Sequence, residues 1–325
     1  MRIAVLGAGA WGTSIASVLG ARLEVTLWAR DAAQARSIEQ TRRNERYLPG
    51  IPVPASVVVS SDLSKTVSGA RLVLAATPVA GLRELFEKIR SVTSLVWLCK
   101  GFEEGSGALP HQIAAEVLGE AARCGALSGP SFAEEVARGL PCALTLASRD
   151  AAFARETAAL LHGGRLRVYY SADLVGVEIG GAVKNVMAIA AGISDGLGLG
   201  HNARAALITR GLAEIARLGA ALGGAPQTFM GLAGAGDLIL TATGDLSRNR
   251  RVGLELAAGR KLDDILKSLG HVAEGVRSAN EVARLAAARG VDMPVTDAVN
   301  AVLAGKLTPA AAVERLLSRD PKKER

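Results

Sequence analysis

Residues 2–6, Arg-Ile-Ala-Val-Leu, run straight into Gly7–Ala8–Gly9–Ala10–Trp11–Gly12, after which a helical pattern begins. Few arrangements suit that order besides a strand, a tight turn and a helix packed back on the strand. Each glycine has its own task at this spacing. Gly7 permits the turn, Gly9 lacks a side chain so that a pyrophosphate can reach the backbone, and Gly12 lets the helix lie close to the strand. The helix start then offers backbone N–H groups and the positive end of its dipole to an anion. Position 10 is alanine, so the turn has no hydroxyl there and must grip by backbone alone. The pattern predicts a bound dinucleotide; a tight turn without a ligand is the plain alternative.

The first half continues in the same style. Short apolar runs at 2–6, 24–28, 57–59, 71–75, 95–99, 126–127, 143–147 and 166–170 read as strands. Helical patterns at 11–19, 81–89 and 151–161 lie between them. That alternation is the signature of a parallel sheet with helices on its faces. Past about residue 172 the strands stop. Segments 173–194, 202–222, 246–258, 263–269, 273–288, 294–304 and 309–317 all read as helices. The expected architecture is an α/β Rossmann-type doubly wound sheet followed by an all-α domain, divided as 1–178 and 179–325. No Ser/Gly-rich tether separates the two, and no internal repeat is visible.

Charge and rare residues narrow the function. The net charge is +7 but aromatics are only 3%, so the stacking platforms of single-stranded nucleic-acid binders are missing. The basic residues are scattered, apart from the expected solvated end at 320–325. The positive balance suits an anionic cofactor and a small anionic substrate instead. Cys99, Cys124 and Cys142 form no Cys-x-x-Cys pair, and His111, His162, His201 and His271 show no ligand spacing. Neither a disulfide framework nor a metal site is indicated. No signal peptide precedes the first strand and no run of about 18 apolar residues occurs, which points to the cytoplasm and away from membranes.

Several positions carry candidate chemistry. After the second strand comes Ala29–Arg30–Asp31. NAD-specific proteins place a carboxylate there for the ribose 2′-OH, whereas a guanidinium can hold a 2′-phosphate. Arg30 therefore favours NADP, with dual use open, and Asp31 has the alternative of a helix cap. Lys100 directly follows a strand end, where side chains face the ligand crevice of such sheets. Lys184 lies in Gly180–Gly181–Ala182–Val183–Lys184–Asn185–Val186, on a helix apolar nearly all round. A buried lysine there needs a partner, and burial lowers its pKa toward use as a base; a snorkelling lysine is the bland reading. Gly180 and Gly181 would let another chain or the cofactor come close. Asp237 ends a glycine-rich stretch, and 246–251 packs Ser247, Arg248, Asn249, Arg250 and Arg251 at a helix start. Cations there oppose the helix dipole unless an anion relieves them, and a phosphate would do so.

Taken together, these residues resemble the soluble NAD(P)-dependent glycerol-3-phosphate dehydrogenase family of bacteria. The resemblance rests on GAGAWGTSIA at 7–16, CKGFE at 99–103, SGPSFAEEVARGLP at 128–141, the long block at 180–214, GLAGAGDLILTATGDLSRNRRVG at 231–253 and HVAEGVR at 271–277. It implies sn-glycerol 3-phosphate and dihydroxyacetone phosphate as substrates, with the product feeding phospholipid synthesis. It implies Lys184 as general base or acid, Asp237 orienting Lys184 or the substrate, both of them in contact with substrate, and Lys100 touching both substrate and cofactor. Gly129, Ser131, Ser247, Arg248 and Asn249 would bind substrate. Gly7, Gly9, Ala10, Trp11, Gly12, Arg30, Ala133, Arg248, Val272 and Glu274 would belong to the cofactor site. The apolar surface of the Ala-rich helical half points to a homodimer. Two rival readings are a related dehydrogenase and a sensor that binds NADP without catalysis. A hydroxyacyl-CoA enzyme would use a His–Glu pair, and no histidine is placed for one. A ketopantoate reductase would lack the 247–249 cluster, and a sensor would have lost Lys100 or Lys184.

Overall fold

A computed structural model describes residues 2–270 and 273–320. His271, Val272 and the basic end at 321–325 lie outside the described residues. The chain divides into two compact units, Met1–Glu103 with Ala108–Glu178, and Glu104–Gly107 with Ile179–Arg325.

The first unit alternates strands and helices: β1 (Arg2–Leu6), α1 (Ala10–Gly20), β2 (Glu24–Trp28), α2 (Ala32–Thr41), β3 (Val57–Ser60), α3 (Leu63–Val67), β4 (Leu72–Ala75), α4 (Leu82–Lys88), β5 (Ser94–Trp97), α5 (Pro110–Leu118), β6 (Arg123–Ser128), α6 (Ala133–Ala137), β7 (Cys142–Ala147), α7 (Ala151–Leu161) and β8 (Leu166–Ser171). The strands form one sheet in the order β3-β2-β1-β4-β5-β6-β7-β8. Ile3, Val5, Leu27, Leu72, Leu74 and Val96 from its centre are at most 2% exposed. Near-continuous apolar strands are what a parallel sheet covered on both faces requires. The order reverses at β1, and in open α/β sheets ligands bind at that switch point, outside the strands' carboxyl ends.

The sheet is not wholly parallel, as the alternation predicts; β6 and β7 pair antiparallel. Residues 129–141 join them through α6 alone, a helix of 5 residues. That link is too short for an ordinary helical crossover, so the chain turns back beside β6. β8 then pairs parallel to β7. The fifth strand also stops at Trp97, so Lys100 stands three residues beyond it rather than next to it.

Helix α8 (Leu174–Gly196) is followed by α9 (Gly200–Ala221), α10 (Pro226–Phe229), a π turn over Leu232–Gly236, α11 (Asp237–Thr243), α12 (Arg248–Ala257), α13 (Leu262–Leu269), α14 (Glu274–Ala288), α15 (Pro294–Leu303) and α16 (Pro309–Leu317). By hydropathy the 23 residues of α8 are apolar enough to cross a membrane, contrary to the reading that no such run exists. Its Val, Ile, Leu, Met and Ala residues raise its average although polar side chains interrupt it. Its most apolar 18-residue window is 94% buried inside the protein, as a core helix is. A Cβ on Gly192 would sit 2.0 Å from the Arg250 carbonyl oxygen, and one on Gly253 would sit 2.1 Å from that of Ile189. Only glycines allow α8 and α12 to cross so closely.

Glu214 on α9 is 1% exposed. Its carboxylate accepts from the backbone N–H groups of Val295 (2.7 Å) and Thr296 (3.1 Å) and from Thr296 Oγ1 (3.0 Å). It thereby caps the start of α15, whose own N-cap side chain makes no capping bond. Burial nevertheless outweighs these donors and pushes its pKa up to about 7. A carboxyl that holds its proton more tightly when folded contributes stability in full below its unfolded pKa near 4.5. That contribution is lost as pH rises through about 7. The loss amounts to roughly 3 kcal/mol. We predict that Glu214→Gln removes this part of the pH dependence. Urea unfolding at a series of pH values between 4.5 and 8 should show a flatter stability profile; an unchanged slope would refute the assignment.

Candidate active site

In the first unit the glycine turn has the geometry its residues require. Gly7 takes φ +118°, and a Cβ there would lie 2.9 Å from the Ala76 carbonyl oxygen. A Cβ on Gly12 would lie 1.9 Å from the Gly7 carbonyl oxygen. Gly9 is the N-cap of α1, and a Cβ on it would meet nothing within 4 Å. The backbone is therefore open on that side. An open cradle before the N–H groups of Ala10, Trp11 and Gly12 fits a pyrophosphate. Trp11 packs partly buried against the core below.

Arg30 is exposed just beyond β2. Asp31 accepts from Ala33 N at 2.8 Å and caps α2, its alternative role. Glu84 on α4 is held below the usual carboxylate range, chiefly by its hydrogen bond with Lys88 and in small part by the charge of Arg30.

Lys100 Nζ donates to the Gly129 carbonyl oxygen at 3.0 Å, and Ser131 Oγ donates to the same oxygen at 3.0 Å. Gly129 has φ +140° and leaves only 3.1 Å between a hypothetical Cβ and the Ala143 carbonyl oxygen. Lys100, Gly129 and Ser131 are therefore gathered at one point. Ala133 opens α6, and its carbonyl accepts from Ser14 Oγ on α1, which ties it to the helix of the glycine turn.

In the second unit Lys184 is 7% exposed and does not snorkel. Its Nζ donates to Asp237 Oδ1 at 2.8 Å and to Thr241 Oγ1 at 2.7 Å. Asp237 (1% exposed) opens α11 and Thr241 (4%) follows one turn later. Thr241 Oγ1 donates in turn to the Asp237 carbonyl oxygen at 2.7 Å. A buried ammonium is tolerable only with such compensation, and the carboxylate gains from the helix start it occupies. The segment that comes close to Gly180 is a stretch of the same chain some way along the sequence. It is the π turn before Asp237, whose Ala233 carbonyl oxygen would lie 2.5 Å from a Cβ on Gly180. That approach delivers Asp237 to Lys184.

Ser247 N-caps α12, its Oγ accepting from Arg250 N at 3.2 Å, so the helix begins one residue after it rather than at 246. Asn249 Nδ2 donates to Asn185 Oδ1 at 2.9 Å, and its Oδ1 accepts from Gly275 N at 3.0 Å. It locks the starts of α12 and α14 to the residue beside Lys184. Arg250 is committed to Asp195 (2.8 Å) and Asp245 (3.0 Å). Arg248 is open to solvent at its surface, yet desolvation by neighbouring protein lowers its pKa, with the charge of Glu274 opposing. Glu274, at the start of α14, is shifted upward by burial against the charges of Arg277 and Arg248. Val272 lies outside the described residues.

Two features were missed in the sequence. Thr241 had a signal, since Asp237-x-x-x-Thr241 places both on one helix face. A His–Glu pair does exist: His111, on α5, gives its backbone N–H to Glu178 Oε1 at 3.0 Å and contacts Oε2 through Nδ1. Burial pushes the Glu178 pKa up, while the contacts with His111 oppose it. Both side chains are under a tenth exposed, so the pair is sealed in the interior. Among the described residues no three His, Cys, Asp or Glu side chains are grouped to hold a metal ion.

Comparison with known proteins gives consistent matches over both halves. Residues 2–154 match the family described as NAD-dependent glycerol-3-phosphate dehydrogenase N-terminus, and residues 173–314 match its C-terminus counterpart. A glycerol-3-phosphate dehydrogenase [NAD(P)+] from Dechloromonas aromatica is 61% identical, covering 100% of this chain and 99% of the relative. One of the same description from Aromatoleum aromaticum is 59% identical, with 100% of each chain covered. The crystal structure of glycerol-3-phosphate dehydrogenase from Coxiella burnetii superposes with a TM-score of 0.92 at 41% identity, over 98% of this chain and 99% of that one.

Proposed function

The chain belongs to the NAD-dependent glycerol-3-phosphate dehydrogenase family, and on that footing we propose that it interconverts sn-glycerol 3-phosphate and dihydroxyacetone phosphate with NAD(P). The observation that carries this reading is the buried Lys184–Asp237–Thr241 cluster. When bound, the nicotinamide supplies the hydride acceptor or donor. The protein's own part is to hold the substrate and manage the proton on its C2 oxygen.

For reduction, Lys184 donates a proton from Nζ to the carbonyl oxygen of dihydroxyacetone phosphate. For oxidation it takes the proton from the C2 hydroxyl. Asp237 and Thr241 orient Nζ, and the carboxylate compensates the ammonium in a site with little water. Lys100, Gly129 and Ser131 form the substrate contacts of the first unit. Ser247, Arg248 and Asn249 form those of the second, with Arg248 binding the phosphate. Gly7, Gly9, Ala10, Trp11 and Gly12 hold the pyrophosphate, and Ala133, Glu274, Val272, Lys100 and Arg248 complete the cofactor contacts. The deciding assay is dihydroxyacetone phosphate reduction followed with NADPH and NADH in parallel; no turnover with either refutes the reading.

Arg30 serves the 2′-phosphate of NADP in this scheme, so NADPH is the favoured cofactor. Arg30→Ala should raise the KM for NADPH about tenfold, the worth of one charge-assisted hydrogen bond, and leave that for NADH nearly unchanged. An equal effect on both rejects the role. The enzyme works in the cytoplasm, without nucleic-acid or membrane partners, and supplies glycerol 3-phosphate for phospholipid synthesis. A deletion strain that grows normally without added glycerol 3-phosphate would exclude that supply role. The exposed apolar side chains Met230, Ile239 and Leu246 of the second unit support a homodimer, which the mass in solution checks.

A further inference from the structure

Ala8 sits in the glycine turn between Gly7 and Gly9. Its carbonyl oxygen accepts from Gln34 Nε2 at 2.8 Å and from Asn44 Nδ2 at 3.0 Å. The same Asn44 nitrogen donates to Thr13 Oγ1, on the first turn of α1, at 2.8 Å. A primary amide carries two hydrogens, so both bonds are made at once. Gln34 Nε2 also reaches Asn44 Oδ1 at 3.4 Å, linking the two amides.

Asn44 is 2% exposed and comes from the loop between α2 and β3. That loop is built to hold it. The Asn44 carbonyl accepts from Tyr47 N (3.1 Å) and Leu48 N (2.8 Å), and Val53 N donates to the Arg42 carbonyl at 2.8 Å. Leu48, Ile51 and Val53 are buried beneath. A turn carbonyl needs one donor, and water can be that donor. Two side-chain amides, one almost fully buried, are a larger investment than satisfying it requires.

We propose that Asn44 and Gln34 are positioning residues for the cofactor's pyrophosphate. They clamp the Ala8 carbonyl and, through the planar peptide that follows it, aim the Gly9 N–H toward the phosphate side of the turn. In a trans peptide the C=O and N–H point in opposite directions, so fixing one fixes the other. Hydrogen bonds on the carbonyl also polarise that peptide and strengthen its N–H as a donor. The bond to Thr13 ties the turn to the start of α1, where Thr13 N already donates to the Gly9 carbonyl at 3.0 Å. Turn and helix N-terminus are thereby held as one unit. The inference rests on the reading of this turn as the phosphate site.

The test measures dissociation constants for NADH and NADPH by fluorescence titration of the full-length enzyme. Asn44→Ala should weaken both cofactors about tenfold and Gln34→Ala about threefold, the range expected for losing one hydrogen bond. The two cofactors must be affected alike, since both carry the pyrophosphate; this separates the clamp from Arg30. The KM for dihydroxyacetone phosphate at saturating cofactor should stay within about twofold. Gln34→Glu, which turns an acceptor toward an acceptor, should bind more weakly than Gln34→Ala. If Asn44→Ala does not fold, the two Gln34 variants decide, because that side chain is only half-buried on α2. Unchanged dissociation constants in the folded variants, even with a lower melting temperature, overturn the proposal. A wild type that binds neither cofactor overturns the phosphate-turn reading and the proposal with it.

Discussion

Replacing Lys184 with alanine should lower kcat for dihydroxyacetone phosphate reduction by about a hundred- to ten-thousand-fold, the usual worth of a positioned proton donor. The substitution removes a side chain that reaches both Asp237 and Thr241. It also leaves the Asp237 carboxylate buried without its countercharge, which costs about 3–5 kcal/mol in comparable cases. Loss of activity must therefore be separated from loss of fold. Circular dichroism and NADPH binding supply the separation: both should survive while turnover does not. Lys184→Arg keeps the positive charge but should not restore activity, because a guanidinium does not release its proton near neutral pH. Near-normal kcat in a folded Lys184→Ala enzyme would remove Lys184 from the chemistry.

Arg248→Ala should raise the KM for dihydroxyacetone phosphate about ten- to a hundredfold, the loss expected for a charged hydrogen bond to phosphate. It is the residue of the 247–251 cluster best placed for that task. Arg250 is held by Asp195 and Asp245, Ser247 caps its own helix, and Asn249 spans two neighbours. Arg248 is itself the first residue of α12, where an anion would relieve its charge against the dipole. Dihydroxyacetone, which lacks the phosphate, gives the control. Its slow turnover should be unaffected by the substitution. An equal loss with both substrates would assign Arg248 to something other than the phosphate.

The strands were the most legible part of the fold. Apolar runs such as Arg2–Leu6 and Glu24–Trp28 are bounded by glycine or charge, so pattern and structure end together. Helix α2 was not visible, because only Ala35 and Ile38 of its ten residues are buried and a stripe that thin leaves little periodicity. Helix α11 was hidden for another reason. Its start merges with a π turn of glycines and alanines, which carries no pattern of its own. The reversal at β7 was equally silent. It depends on how far a five-residue helix can carry the chain, not on which residues face the core.

The amino-acid sequence by itself determined the glycine turn, the apolar strand before it, and the presence of a lysine on a helix that had to be buried. These are local consequences of steric limits at glycine and of spacing within a few residues. Only the tertiary structure decided what those features meet. Lys184 finds Asp237 and Thr241 across 53 and 57 residues of chain, and the Ala8 carbonyl finds Asn44 across 36. Such pairings depend on close helix crossings and on a loop folded over the turn. Packing of the whole unit, which no local pattern encodes, selects them.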